Sequence, residues 1–462
     1  MTRLLIECTY VYEHPDLNSG IQRVVRNVIQ ELKSANTVIE CIPVIMQGGQ
    51  LKRVISLLPP PTRAGISFLR QCVHRLDHLR LRLWGGHAYI SKRLPWHGNK
   101  ALNMPLLILW KLLSLNITLP LRAALWLDRR DEASKQRSVP LDIECGDIFL
   151  LLDSSWHLNF YSLAERLKEQ GASIISVVYD LIPISHPQFC DAGLTKVFER
   201  WFDWIATTAD GFVCISQTVQ GDVQRAVTER LGADVANKRK FEYFHLGSEL
   251  DLVQRDTVVD PRIKVLFDAT EDTYLMVSTI EPRKNHIYLI KTFDTLWAKG
   301  SKARLCIIGK IGWKSDELIG LIQRHPELNK RLFMFNQLND AGLEYAYAHS
   351  SALLFPSHAE GFGLPLVEAM QRGVPVMASD LPVFREIGGE YVAYFDLSCA
   401  GSLAALILEH QNSGRFPAGR SLDSWEWINW RTASLQLLEK TLKIAGQTDL
   451  LNAHYASYRS RL

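Results

Sequence analysis

The chain contains 462 residues, of which 47% are hydrophobic and 22% are charged, and its formal net charge is +3. This composition excludes an intrinsically disordered protein, and the length predicts two or three domains rather than one small binding module. The eight cysteines lie at least 24 residues apart, which excludes zinc-ribbon and CxxC sites, and we expect reduced thiols in a cytosol-facing protein.

Short apolar runs alternate with helical stretches along the chain, starting with a run that Glu7 ends. That first run is too short for the core of a signal peptide, so we do not expect export. Alternation of this kind is typical of parallel sheets with crossover helices, and fully apolar strands indicate burial on both faces. In the first half, strands are predicted at 4–7, 38–44, 147–152, 173–178 and 211–214. Helices are predicted between them, for example at 21–33, 158–170 and 192–208.

A basic segment, residues 51–140, interrupts this first half. It contains 16 Lys and Arg but only 4 Asp and Glu, a net charge of +12, interleaved with Leu and Trp. Lys111, Arg122 and two prolines break its longest apolar stretch, so a bilayer-spanning helix is not expected. Two interpretations stay open: a helix on an anionic membrane surface, or an insertion whose charges face solvent. Nucleic acid is not an expected partner, since no recognition motif accompanies the charge.

His74 and His78 of the basic segment are four residues apart in a predicted helix and could face the same side as metal ligands. Because no third ligand is nearby, we interpret them as surface histidines. The sequence therefore predicts no metal site, and it predicts no cofactor.

A second alternation begins after the polar stretch 251–264, which indicates a domain boundary. We therefore predict two doubly wound α/β halves. Their domains are predicted at 1–255 and 256–424, followed by a helical tail at 425–462 whose helix runs from about Ser424 to Ile444. Strands of the second half are predicted at 274–279, 304–308, 332–335, 352–355, 374–377 and 392–395.

The first motif with chemical potential is the run 278–285, which follows an apolar strand and opens a helix. Ligands of open parallel sheets bind at the carboxyl ends of the strands. Arg283 and Lys284 could supply two positive charges to a diphosphate there, as Mg²⁺ does elsewhere. Lys310 and Trp313 follow the next strand and either rim the same site or only pack within their loop.

The second motif is a glycine-rich turn between a strand and a helix, in the run 355–368. Gly361 and Gly363 would let the backbone approach a ligand, and the free N–H groups at the helix start form an anion site. Glu360 precedes the helix and Glu368 lies about one turn into it. Since neutral hydroxyls suit these carboxylates better than phosphate does, both motifs converge on a diphosphate that carries hydroxyl groups.

Glu360 and Glu368 in their Glu-x₇-Glu spacing, together with the Glu-Pro-Arg-Lys-Asn run at 281–285, resemble retaining glycosyltransferase family four. The resemblance covers most of residues 270–400 and includes the strand–helix order around the motifs. It implies the GT-B fold, in which two Rossmann-like, doubly wound domains face a cleft. The basic segment would then be a helical insertion in the N-terminal domain, and the last helices would return to that domain.

Two runs of the first half, 19–26 and 178–183, are similar to members of the family that build bacterial polysaccharides such as O-antigen mannans. The resemblance implies that Glu368 accepts hydrogen bonds from the nucleotide ribose and that Glu360 contacts the transferred sugar. For Asp180 a purely structural role, capping the turn that follows it, stays open. The implied catalytic residues are Glu360, Arg283, Lys284, Asp180 and His186. The implied donor-binding residues are Gly20, Ser278, Thr279, Arg283, Lys284, Glu360, Gly361, Phe362, Gly363, Leu364 and Glu368.

The resemblance implies metal-independent, retaining transfer of a hexose, with mannose from GDP-mannose as the best candidate. The acceptor would be a hydroxyl of a growing, lipid-linked surface polysaccharide at the cytoplasmic face, where the basic segment would suit a peripheral membrane contact. A catalytically silent GT-B paralogue that acts as an assembly scaffold is the alternative, because Ser278 and Tyr179 stand where many members have arginine and histidine. A phosphorylase is not expected, since the sequence contains no pyridoxal phosphate lysine motif.

Overall fold

The computed structural model describes residues 2–17, 19–35, 38–58, 137–248 and 258–459, with short pieces at 75–76, 80, 104–105, 107–111 and 114–123. The chain divides into two compact units. The larger unit consists of Met1–Leu51 and Asp142–Leu462, and the smaller unit is Lys52–Leu141.

The strands of both units, in chain order, are β1 (Arg3–Glu7), β2 (Glu40–Gln47), β3 (Gln50–Val54), β4 (Ser138–Pro140), β5 (Ile148–Leu151), β6 (Ser173–Val178), β7 (Gly211–Cys214), β8 (Lys240–Tyr243), β9 (Thr273–Val277), β10 (Arg304–Ile308), β11 (Leu332–Phe335), β12 (Ala352–Phe355), β13 (Val376–Ser379) and β14 (Val392–Phe395). The helices are α1 (Thr9–Glu13), α2 (Gly20–Ser34), α3 (Tyr161–Glu169), α4 (Ile182–Ser185), α5 (Ala192–Thr208), α6 (Gln217–Leu231), α7 (Ala233–Ala236), α8 (Pro261–Phe267), α9 (His286–Ala298), α10 (Asp316–Gln323), α11 (Asp340–Ala348), α12 (Leu364–Gln371), α13 (Pro382–Gly388), α14 (Ala400–Ser413), α15 (Trp430–Ile444) and α16 (Thr448–Arg459).

The first sheet of the larger unit is parallel, with the order β2–β1–β5–β6–β7–β8. The side chains of Leu4, Leu5 and Ile6 in β1 are at most 1% exposed. Continuous burial follows because helices cover both faces of a parallel sheet. Strand order reverses between the neighbours β1 and β5, so the loops that follow these two strands open a crevice at the carboxyl edge.

The second sheet is also parallel, with the order β11–β10–β9–β12–β13–β14. Its core centres on Tyr274 and Phe293, which are fully buried and pack edge to face with ring centroids 5.9 Å apart. Strand order reverses here between β9 and β12. The predicted pair of doubly wound α/β halves is confirmed. Each half has its crevice between the two neighbouring parallel strands at which the strand order reverses.

The last helices pack on the first sheet. Lys240 at the start of β8 donates from Nζ to the carbonyl of Ile444 over 2.9 Å. A Cβ added to Gly211 in β7 would lie 2.6 Å from Cγ2 of Ile444, so only glycine allows this approach of α15.

Strands β3, β4 and β8 were not predicted from the sequence, and the helix predicted from Ser424 starts only at Trp430. Asn429 caps it by accepting from the backbone N–H of Thr432 over 2.8 Å. Residues before this cap are held outside the helix, because Trp427 donates from Nε1 to the carbonyl of Leu246 over 2.8 Å. This hydrogen bond to a distant residue thus outweighs the helical tendency of the local sequence.

The smaller unit contains the antiparallel pair β3–β4, in which Lys52 is opposite Pro140. Its described pieces between 104 and 123 are helical. Four of their apolar side chains are at least half exposed: Ile108, Leu109, Leu115 and Leu119. Among the described residues, no helix is long and apolar enough to cross a bilayer. His74 and His78 lie outside the described residues, as does most of the Leu- and Arg-rich run before residue 104.

Candidate active site

Both sequence motifs lie at the crevice of the second sheet. Strand β9 ends at Val277 and leads into the run 278–285, and its neighbour β12 ends at Phe355 and leads into the glycine-rich turn. The two loops are joined directly, because the backbone N–H of His358 donates to the carbonyl of Arg283 over 2.9 Å. The motifs thus form one site at the point where strand order reverses.

An ion cluster is the centre of this site. The Glu360 carboxylate accepts from Lys284 Nζ over 2.5 Å and from Ser357 Oγ over 2.7 Å. Its other oxygen pairs with Arg283 Nη1 over 2.8 Å. Arg283 is also fixed from the opposite side by Glu281 over 2.8 Å. The side chains are at most 16% exposed, so these charges act on each other with little screening by water.

The cluster keeps Glu360 ionised at neutral pH. Burial by itself raises the pKa of this carboxyl, but Arg283 and Lys284 outweigh burial and lower its pKa to about 2. Burial raises the pKa of Glu281 and of Asp180, against the opposing field of Arg283. Two buried cations are therefore balanced by carboxyl groups, and Glu360 is the one whose pKa they lower below its ordinary value.

Gly361 brings the turn against the first half of the chain. A Cβ at this position would lie 2.1 Å from the carbonyl oxygen of Tyr179. The Gly361 carbonyl also accepts from Ser216 Oγ over 2.9 Å. Asp180, next to Tyr179, accepts from the backbone N–H of Ile182 over 2.9 Å, which is the capping role that its sequence context left open. These contacts hold Asp180 close to the ion cluster.

Glu368 lies at the other side of the site, in the second turn of α12. One oxygen pairs with Nη1 of Arg23 over 2.8 Å, and the other accepts from the hydroxyl of Tyr347 over 3.1 Å. Gly363 is the N-cap of helix α12, and its φ of +105° favours glycine. Helix α2, which carries Arg23, starts where the backbone N–H of Ser19 donates to the Gln22 side chain over 3.1 Å.

A cleft of about 1250 Å³ opens between the carboxyl edges of the two sheets of the larger unit. His186 is the one predicted site residue outside the cleft lining among the described residues: its Nδ1 lies 2.9 Å from Ser185 Oγ and its ring stacks on Phe189. Lys310 and Trp313 both line the cleft. The other predicted residues that line it are Gly20, Asp180, Ser278, Thr279, Arg283, Lys284, Glu360, Gly361, Phe362, Gly363, Leu364 and Glu368. No group of three or more His, Cys, Asp or Glu suited to a metal ion occurs in the described part of the chain.

Sequence reasoning missed three contributors. Arg23 and Tyr347 hold Glu368, and Glu386 joins the halves by accepting from the backbone N–H groups of Gln217 and Thr218 over 2.7 and 2.8 Å. The only feature of the sequence that could have pointed to Glu386 is its position on a helix that directly follows a strand. Its partners lie about 170 positions away, so no local pattern reveals them.

Comparison with known proteins agrees with this geometry. A family model described as Glycosyl transferases group 1 matches residues 260–409. The serotype-specific mannosyltransferase WbdA of Escherichia coli is 33% identical over 310 residues, which are 66% of this chain and 38% of that relative. The O-antigen chain mannosyltransferase RfbU of Salmonella typhimurium is 32% identical over 213 residues, 46% of this chain and 53% of that relative. The chain thus matches well under two thirds of the length of these relatives. The predicted resemblance to glycosyltransferase family four is confirmed.

Solved structures agree on the fold over the whole chain. Anabaena HepE in complex with UDP and glucose has a TM-score of 0.52 and 14% identity, with 100% of both chains covered. A sucrose-phosphate synthase from Thermosynechococcus elongatus has a TM-score of 0.51 and 17% identity, covering 99% of this chain and 100% of that chain. At such identities the likeness concerns the fold alone, and the predicted GT-B fold is confirmed.

Proposed function

We propose that this chain transfers a hexose, with retention and without a metal ion, from a nucleotide diphosphate sugar to a hydroxyl of a growing polysaccharide. The observation that carries the proposal is the buried cluster of Arg283, Lys284 and Glu360 beside the start of α12, inside the cleft. Two cations and a helix N-terminus form a site for a diphosphate, and an ionised carboxylate beside them is suited to the hydroxyls of a sugar. Mannose from GDP-mannose is the first candidate donor, supported by the names of the relatives.

The reaction breaks the bond between the anomeric carbon and the β-phosphate oxygen and forms a bond from that carbon to the acceptor oxygen. The proton of the acceptor hydroxyl goes to the leaving phosphate oxygen on the same face of the sugar. Arg283 and Lys284 stabilise the negative charge that develops on the diphosphate, which a divalent cation does elsewhere. Glu360 holds the two cations in position and remains available to the hydroxyls of the sugar.

Nucleotide binding tests the proposal. We expect GDP at 100 times its dissociation constant to stabilise the protein by about 2.7 kcal/mol in the presence of EDTA, seen as a rise in Tm. Glu368→Gln should weaken this binding about tenfold, because a charged acceptor for the ribose hydroxyls is lost. Glu409→Gln, an exposed glutamate on α14, is the matched control and should bind as the wild type does.

Thermal scans with GDP, UDP and ADP decide the outcome. A response to one nucleotide assigns the donor class, and a response that requires metal contradicts metal independence. If the folded protein responds to none of them, the scaffold alternative replaces the enzyme.

We also propose that the smaller unit contacts an anionic membrane that carries a lipid-linked acceptor, so that the enzyme is peripheral on the cytoplasmic face. Its support is the net charge of +12 on residues 51–140 together with half-exposed Ile108, Leu109, Leu115 and Leu119 on helical pieces. Basic residues near such a surface contribute about 1 kcal/mol each, and apolar side chains insert below the headgroups.

Vesicle sedimentation of the full chain tests this contact. Lys111→Gln with Arg122→Gln should weaken binding to vesicles rich in anionic lipid about 30-fold, since about 2 kcal/mol of attraction is lost. Lys302→Gln with Arg415→Gln removes two exposed charges from the larger unit and should leave binding unchanged. Binding that is indifferent to anionic lipid, or to the first pair of substitutions, would contradict the proposal.

A further inference from the structure

A second cavity, which we call the side pocket, adjoins the cleft and has a volume of about 200 Å³. Asp180, Arg283 and Trp313 line both cavities. The side pocket therefore shares its wall with the ion cluster. Any group that fills it lies next to the place where a sugar held by the cluster would react.

The topology of the first sheet creates this pocket. Trp156 lies in the loop that follows β5, at the reversal of strand order, and Asp180 lies in the loop that follows β6. Phe198 and Trp201, three residues apart on α5, close the pocket from the side. It is thus a crevice at a carboxyl edge, the place where α/β sheets bind ligands, and Arg283 is the one described residue of its lining that is also assigned to the donor.

Aromatic rings form much of the wall of the side pocket. The Trp156 ring lies 5.4 Å from Phe198 and 5.8 Å from Trp201, and the last two rings are 5.1 Å apart. Trp156 donates from Nε1 to Nε2 of His157 over 2.9 Å, and Trp313 donates from Nε1 to the carbonyl of Phe189 over 2.8 Å. Since both indole N–H groups are already bonded, these rings offer a ligand their faces.

Aromatic faces are electron-rich and attract the polarised C–H groups of a sugar ring, whereas a carboxylate accepts hydrogen bonds from its hydroxyls. The side pocket combines both, since Asp180 and several aromatic side chains line it. Its volume is below the roughly 300–1,000 Å³ of sites for drug-sized ligands, so it suits one ring rather than an oligosaccharide or an isoprenoid chain.

We infer that the side pocket binds the terminal pyranose ring of the acceptor, with Trp156 against the face of the ring and Asp180 accepting from a hydroxyl of that ring other than the one that is glycosylated. This inference rests on the proposed function and adds a recognition site for the acceptor. Specificity for the acceptor is then set by the loops after β5 and β6 and by α5, on the opposite side of the cleft from the donor motifs.

Two substitutions of one residue test the stacking contact. Trp156→Phe and Trp156→Leu both lose the hydrogen bond to His157 and both keep an apolar wall, but only the leucine variant loses the aromatic face. With methyl α-mannopyranoside as acceptor and GDP-mannose as donor, the leucine variant should raise the acceptor KM about tenfold at similar kcat. The phenylalanine variant should stay within about threefold of the wild type.

Filling the pocket is the second arm. Leu194→Trp adds a ring to the lining and should abolish saturation by the methyl glycoside, while the rise in Tm with GDP stays as in the wild type. Methyl glycosides of glucose, galactose and N-acetylglucosamine are assayed in the same way with each variant, so that the identity of the ring does not decide the result. Farnesyl phosphate serves as the probe for an apolar chain.

The outcomes separate this inference from the proposed function. A normal rise in Tm with nucleotide, combined with equal KM values for the leucine and phenylalanine variants, overturns the side-pocket assignment and leaves the enzyme standing. Competition by farnesyl phosphate that Leu194→Trp abolishes also overturns it, in favour of a lipid site. Loss of the nucleotide response in the folded wild type overturns both.

Discussion

Replacing Lys284 by glutamine is expected to lower kcat for sugar transfer by about 10²–10³-fold. One of the two cations that we propose face the leaving diphosphate is lost, and removal of a single preorganised donor at a developing negative charge has an effect of this size. The fold should survive, because Glu360 keeps its ion pair with Arg283 over 2.8 Å and its hydrogen bond from Ser357. Steady-state kinetics and Tm measured on the same preparation check both parts.

Lys291→Gln, an exposed lysine on the helix that follows the motif, is the matched control and should transfer sugar at the wild-type rate. Lys284→Gln should weaken binding of the intact nucleotide sugar less than it slows transfer, since the diphosphate gains negative charge as the bond to the anomeric carbon breaks. A wild-type kcat in this variant would show that Lys284 does not stabilise the transition state. A variant that fails to fold is replaced by Lys284→Met, which keeps the length of the side chain.

Replacing Gly361 by alanine is expected to reduce kcat/KM by at least 10²-fold and to lower Tm. The new Cβ would lie 2.1 Å from the Tyr179 carbonyl, which is backbone and cannot rotate away, so the turn and the loop after β6 must move apart. A displacement of about 1 Å at reacting groups is enough for a 10²-fold loss. Glu360 of the ion cluster precedes Gly361, and Asp180 follows Tyr179, so moving the two loops apart would displace both carboxylates.

Gly221→Ala is the control for this substitution. Gly221 lies in α6, and an added Cβ meets nothing within 4 Å, so alanine should raise stability by up to about 1 kcal/mol and leave activity unchanged. Wild-type kinetics in Gly361→Ala would show that the approach of the two loops is not needed for transfer. A reduced Tm with wild-type kinetics would lead to the same conclusion, because the substitution would then affect only the stability of the protein.

Much of the fold could be predicted from sequence because its signals are local. The strands of both halves are short apolar runs, and most were predicted within two residues of their observed ends, for example 304–308 and 392–395. Strand β8 was missed because its first residue is exposed, the other three are only partly buried, and its sequence, Lys-Phe-Glu-Tyr, carries two charges. The start of α15 was missed because a distant hydrogen bond from Trp427 fixes the residues before it.

The sequence predicted which residues form the candidate site, but it did not predict which of their side chains contact each other. Glu360 was assigned to the sugar, and Arg283 and Lys284 to the phosphates, as separate tasks. The structure joins all three in one cluster, in which the carboxylate balances the two cations. His186, close in sequence to Asp180, directly follows the short helix α4 and is not part of the cleft lining among the described residues.

The sequence by itself determined the two doubly wound halves, the loops at their strand ends and the residue types that those loops bring to a ligand. These properties depend on hydrophobic periodicity, on glycine and on spacing, all of which act over a few residues. Only the tertiary structure decided which partners meet: Arg23 with Glu368, Gly361 with Tyr179, and the aromatic side pocket with Asp180. Such contacts join residues more than 100 positions apart or depend on how loops and helices of one sheet pack, and local pattern carries no information about that packing.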